Sequence, residues 1–357
     1  TRAPAPVTRD AGARVARAVA VPPRARTWVG RFGHAAVRRL AGLLAMLGAA
    51  APLAAQDDVA TEGAIFLLLP VGGRAVGRGQ AVVASVDGSE AVWWNPAGLA
   101  RQNKRELAIH HSAPFYETTA DALTIVVPSS LLGVLAVSAN ILDFGGGEQR
   151  DDLGNLIGTI STRSFVYAAT YATTAGSRLN AGVTYKLLQF QVSCSAGCAA
   201  GTGANATTSA IDVGAQYDLR GLVPIAFGAA VRHLGPSLQV NDSPQRDKLP
   251  ARLQLGVRWR VSQLERRMAD TELAASGDAI SRLSADDRSW RGGLEATWRK
   301  RASLRAGYVF GGPDTRGAAI GFGIRQGGLI VDVGHQFGGL VERTEGDPVY
   351  LTLRYLF

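Results

Sequence analysis

Cysteine, histidine and charge are all scarce in this chain of 357 residues: two cysteines, five histidines and 19% charged residues, against 46% hydrophobic ones and 43 glycines. Two cysteines exclude a disulfide-stapled scaffold, and the hydrophobic share excludes a disordered chain. The length suffices for one large domain or two smaller ones. Long apolar helices are missing too. Leu40 to Gln56 is uncharged but short and holds Pro52, and the run Leu123 to Leu142 is split by Pro128-Ser129-Ser130 into two alternating halves that read as a hairpin.

The machinery of an enzyme is also absent. Beyond residue 56 the histidines are His110, His111, His233 and His335. His110 and His111 are adjacent on a strand and so point to opposite faces. No G-x-S-x-G or H-E-x-x-H occurs, and Gly201-Thr202-Gly203 lacks the GK[ST] of a phosphate loop. The expectation is a protein that is not an enzyme, with no catalytic residues, no metal site and no cofactor. Nucleic acid is excluded as a partner on charge. The formal net charge is +9, but residues 1–56 hold nine Arg and one acid, so from Asp57 onward 29 basic residues stand against 28 acidic ones. A nucleic-acid binder needs its basic excess on the folded body.

What is present begins with that basic leader. Arg38-Arg39 precede the uncharged run, small residues close it near Ala55 or Gln56, and Asp57 and Asp58 follow. This is the order of a cleaved signal peptide over 37–56, with a membrane anchor as the alternative. Residues 1–36 read as an extension upstream of the true start, near Val37. An exported chain meets oxidising conditions, so Cys194 and Cys198, in a small-residue loop, are a disulfide candidate, with two free thiols as the alternative.

The rest of the chain alternates apolar and polar residues with period two. Leu253, Leu255, Val257, Trp259 and Val261 alternate with Arg252, Gln254, Gly256, Arg258 and Arg260, and similar strands are readable at 211–219, 302–310, 329–337 and 349–357. Less regular ones lie around 106–113, 120–127, 133–142, 163–173, 178–190, 224–234, 290–299 and 317–325. One face carries charges such as Arg258, Arg305 and Asp332, which suits a transmembrane barrel with a watery lumen better than a soluble sandwich. Short and long connections alternate, with long outer ones expected at Gly145 to Thr162, Ser193 to Thr207, Gly235 to Pro250 and Gly338 to Pro348. Strict alternation requires one more strand, expected within Leu264 to Ala275, for a total of about fourteen. The fold class is therefore all-β: an antiparallel outer-membrane barrel over 105–357, preceded by a glycine-rich segment, 57–104, that reads as a plug. Its strands would bend at the many glycines. Gly73, Gly77 and Gly79 permit close backbone approach, and Asn95-Pro96 stops any helix begun around Ser89 to Trp94.

Residues 63–100 of that segment carry a resemblance. An apolar start, then Gly73, Arg74, Ala75, Gly77 and Gly79, then Asp87, then Asn95, Pro96, Ala97, Gly98 and Leu99 resemble the amino-terminal region of the PorV/PorQ family of outer-membrane proteins, relatives of FadL-type hydrophobic-compound transporters. The resemblance implies that these residues form a plug at the periplasmic side of the lumen, with a merely structural cap as the alternative. It implies too that the final strand, with Tyr355 and the terminal Phe357, is the signal read by the barrel assembly machinery; an ordinary edge strand is the alternative. Two functions follow as expectations. One is an accessory of type IX secretion, with secreted proteins or secretion-system components as partners. The other is a passive channel that takes up a hydrophobic small molecule. Both place the protein in the outer membrane of a Gram-negative-type bacterium, among its lipids.

Overall fold

The computed structural model describes residues 62–357 except 116, 152, 197–202, 220–223, 242–243, 262–267, 269, 285–286, 312–315 and 339–347. The expected upstream extension (1–36), the signal peptide (37–56) and Cys198 lie outside the described residues. The alternating segments become strands β1 (Glu106–Phe115), β2 (Thr118–Ser129), β3 (Gly133–Arg150), β4 (Leu156–Ala175), β5 (Leu179–Ser195), β6 (Ala204–Leu219) and β7 (Ile225–Leu234). After a two-stranded flap, β8 (Leu238–Gln239) and β9 (Arg246–Asp247), come β10 (Arg252–Arg260), β11 (Thr271–Arg282), β12 (Arg288–Trp298), β13 (Ala302–Phe310), β14 (Gly317–Gln326), β15 (Leu329–Phe337) and β16 (Val349–Leu356). All but the flap join into one closed barrel of fourteen strands, with β1 pairing β16 antiparallel and Arg105 and Phe357 exchanging backbone hydrogen bonds beside that seam.

The strand missing from the alternation is β11. It runs Thr271–Arg282 rather than within Leu264 to Ala275. Its outward residues, among them Ala275, Gly277, Ala279 and Ser281, are too small to print an apolar stripe. The outer loops also need correction. Gly145 to Thr162 is largely strand, and Ser193–Ser195 and Ala204 to Thr207 are strand at the two ends of the other expected loop, because β3, β4, β5 and β6 extend to 18, 20, 17 and 16 residues and raise a wall above the rest of the barrel. There the ladder continues, from Gly146 opposite Ser161 to Arg150 opposite Leu156. That extension holds glycine, serine, threonine and charged residues such as Glu148, Arg150 and Arg163, so its alternation carries little hydrophobic signal.

The outer face is apolar. Val257 and Trp259 are exposed while Arg252 and Gln254 are buried, and on β16 Leu351, Leu353 and Tyr355 face out while Tyr350, Thr352 and Arg354 face in. Aromatic side chains ring this face at two levels: Tyr171, Tyr217, Trp259, Trp298 and Tyr355 near the short turns, Trp290, Phe310 and Phe337 near the loops. Trp290 and Trp298 are eight residues apart on β12, roughly 26 Å along the strand at about 3.3 Å per residue. With the tilt of about 35–45° of a barrel strand that is a rise of roughly 20 Å, most of the roughly 25 Å apolar band of an outer-membrane barrel. The chain is thus an outer-membrane barrel, with the short turns after β2, β4, β12 and β14 at its periplasmic end and one longer connection there, between β10 and β11.

Candidate functional site: the plugged lumen

Residues 62–105 thread the lumen from one end to the other. At the loop end Glu62 takes Arg252 at 2.8 and 2.9 Å and the Ser284 hydroxyl at 2.7 Å, and the Gly63 N–H donates to the Lys248 carbonyl at 2.9 Å. At the turn end Arg101 pairs with Asp218 at 2.9 Å before the chain enters β1. A plug confined to the periplasmic side therefore needs amendment: its first residues sit at the outer mouth, because the salt bridge to Arg252 at the head of β10 holds them there.

The motif residues are where plug and wall touch. A helix, Gly73–Gly77, lies against β14, β15 and β16, and the Gly73 N–H donates to the Thr352 hydroxyl at 2.9 Å. Facing the plug as a whole, the wall carries glycine in four cross-strand pairs: Gly182 with Gly214, Gly228 with Gly256, Gly293 with Gly307, and Gly321 with Gly334. All point into the lumen. A Cβ on Gly334 would collide with the Gly73 carbonyl, on Gly321 with the Gly77 backbone, on Gly307 with Gly79, on Gly214 with Asn95, and on Gly182 with Pro96. The glycines read from sequence as strand benders are mainly clearance for the plug backbone.

Charge locks the same contact. The Arg74 guanidinium pairs with Asp87 at 2.7 Å and Glu90 at 3.2 Å. Arg354 on β16 binds Glu106 on β1 at 2.7 Å and reaches Asp87 at 3.8 Å. Burial works against the Asp87 charge, but Arg74 and Arg354 outweigh it and hold the carboxyl well below the usual carboxylate range. On the far side Asp278 accepts the Val82 and Val83 N–H groups at 2.7 and 2.9 Å. Asn95 ends the short helix Ala91–Trp94, caps the next turn through the Ala97 N–H at 3.1 Å and donates to the Val83 carbonyl at 2.7 Å. Gly98 packs under the Val86 carbonyl with no room for a side chain. Trp93 lies under Lys186 (5.6 Å to the ring centre), and Trp94 lies near both Arg232 (5.2 Å) and Arg291 (5.8 Å).

Sequence reading missed these wall partners. Lys186, bound to Asp212 at 2.6 Å with both buried, and Asp278 and Gln216, which grip the plug, occupy ordinary polar positions of alternating strands. Nothing local distinguishes them from residues lining open water.

The lumen has two characters. Buried inward residues of β2 to β6 are apolar and polar in equal measure: Ala122, Val126, Ala136, Leu142, Val166, Ala168, Leu188 and Ala206 join Phe66 and Trp93 of the plug in one cluster edged by Leu69, Phe144, Phe190 and Val240, and the polar ones are uncharged apart from Lys186 and Asp212. Inward positions of β10 to β16 carry more of the charge, with Arg252, Asp278, Arg305, Asp332 and Arg354 set among glycines and neutral residues, as in the triad of Arg305 with Glu295 and Asp332, both at 2.7 Å. Cys194 lies near the loop end of β5. Tyr355 and Phe357 face outward with rings stacked at 5.7 Å.

No family model matches the sequence, and no curated protein matches it. Solved structures do. The Ralstonia pickettii toluene transporter TbuX is similar over 80% of this chain and 97% of its own, at 13% identity and a TM-score of 0.51. The P. putida toluene transporter TodX covers 79% and 98% (10%, 0.50), and the monoaromatic hydrocarbon channel CymD covers 83% and 98% (14%, 0.50). At these identities the likeness is one of fold: the chain shares the barrel architecture of FadL-like outer-membrane channels.

Proposed function

We propose that the protein is a passive outer-membrane channel for hydrophobic small molecules. The observation that carries the reading is the apolar cluster on one side of the lumen. A water-filled porin lines its interior with polar groups, whereas here alanine, valine and leucine side chains of β2 to β6 gather into one apolar cluster with Phe66 and Trp93 of the plug, interrupted only by uncharged polar residues and the Lys186–Asp212 pair. Those side chains are packed against the plug, so they offer an apolar solute favourable surface, roughly 25 cal/mol per Å² buried, when the plug shifts away from them. The solved relatives named above are titled as toluene transporters and a monoaromatic hydrocarbon channel, which supports the same class of solute. The type IX secretion role, with exported proteins as partners, rests on the amino-terminal motif alone and has no support from the solved relatives. Placement by the barrel assembly machinery through Tyr355 and Phe357 belongs to the proposal. The test is entry of radiolabelled toluene into cells with an intact lipopolysaccharide layer, comparing wild type, empty vector and Val166→Asp. Faster entry with wild type and a loss in the variant support the channel; entry equal in all three sinks it.

A further inference from the structure

Beneath the plug, between it and β11 to β16, lies a cavity of about 600 Å³ whose rim includes the periplasmic turn residues Lys300 and Arg301. Its lining holds eight basic and four acidic side chains. The two levels of the chamber differ. At the ceiling Arg74, Arg305 and Arg354 are each matched by carboxylates within 3.2 Å. At the rim Lys104, Arg301 and Arg325 are exposed and make no ion pair among the described residues. Arg101 adds a second observation: its NH2 group is held by Asp218, while its buried Nε–H finds no acceptor.

We propose that this chamber is a binding site for small organic anions at the periplasmic end of the lumen. Lys300 has Glu272 at 4.0 Å, but the other rim cations have no paired carboxylate among the described residues, so they repel one another, and a recess focuses their field more than an open surface does. An anion entering it relieves that repulsion. The polar, charged lining gives no gain to an extended apolar chain, so the fitting ligand is compact. The proposal rests on the channel reading only for its place on the exit path; the binding stands without it.

The probe is benzoate, titrated into purified, detergent-solubilised protein at low salt and followed by saturation-transfer NMR, with benzyl alcohol as its neutral counterpart. Benzoate should bind more tightly than benzyl alcohol, and about 0.5 M NaCl should weaken it in wild-type protein, where no variant has to fold. The triple variant Lys104→Gln, Arg301→Gln, Arg325→Gln should lose about tenfold in benzoate affinity, since each rim cation contributes a screened attraction of the order of RT or somewhat less. The double variant Arg150→Gln, Arg163→Gln, which removes charge at the loop end, should stay within about twofold. Equal binding of benzoate and benzyl alcohol, or equal losses in the rim and loop-end variants, would overturn the site. Toluene is neutral, so failure of toluene entry overturns the channel and leaves the chamber standing.

Discussion

Gly77 of the plug and Gly321 of β14 meet backbone to backbone: a Cβ on Gly77 would lie 2.6 Å from the Gly321 Cα. Contact that close is possible only where neither residue has a side chain. Gly79 and Gly307 repeat that contact, and the other paired glycines of the wall clear Pro96, Asn95, Val83-Ala84 and Arg78, so the plug is seated by absence of side chains from the wall as much as by charge.

A side chain at Gly321 should unseat the helix Gly73–Gly77 and leave the barrel intact. Gly321→Leu is expected to insert and to show normal heat-modifiable migration on gels, while its conductance in planar bilayers rises well above that of wild type. The same substitution at Gly327, where a Cβ meets open space, should not raise conductance, although its positive φ carries some strain.

The Arg74–Asp87–Arg354 lock makes a prediction about acid. Because the folded Asp87 carboxyl is held below its ordinary value, its stabilisation is complete above the unfolded pKa of about 3.9 and fades only as pH falls below it toward the folded value. Conductance and plug proteolysis should therefore be flat from pH 7 to pH 5. Asp87→Asn should loosen the plug at pH 7 already, as read by protease sensitivity.

The two faces of β10 should answer oppositely to charge. Val257→Arg puts a guanidinium against lipid at about 2 to 4 kcal/mol near the midplane, so heat-modifiable, membrane-inserted protein should fall sharply. Arg258→Ala faces the lumen, loses only a 3.6 Å contact with Glu295, and should assemble as wild type.

Ile65 is 65% exposed at the loop end of the lumen. In a variant with Cys194 and Cys198 replaced by alanine, Ile65→Cys should be labelled by a membrane-impermeant maleimide on intact cells. Labelling only after the outer membrane is opened would place the first plug residues at the periplasmic end instead.

We propose that Cys194 and Cys198 form a disulfide, since their spacing is short and the outer surface is oxidising. Intact mass should rise by about two daltons on reduction, and thiol reagents should leave unreduced protein unmodified.

Much of the architecture was legible in the sequence, for a physical reason. Lipid on one side and a polar lumen on the other force alternation, so Leu253 to Val261 and Val349 to Phe357 announce both the strand and its lipid face. Alternation fails where that contrast vanishes: β11, with small outward residues, was displaced, and the raised parts of β3 to β6, which hold glycine, serine, threonine and charged residues, read as loops. Gly73, Arg74, Asp87 and Asn95 were legible as a compact segment because glycine and Asn-Pro constrain the backbone locally. What they touch was not. Gly334, Gly321, Gly214, Asp278 and Arg354 lie one to two hundred residues and more away and look like any lumen-facing position, and only closure of the barrel brings them against the plug. The apolar cluster on one side of the lumen, the ion pairs on the other and the basic chamber below likewise exist only once strands far apart in the chain share a single interior.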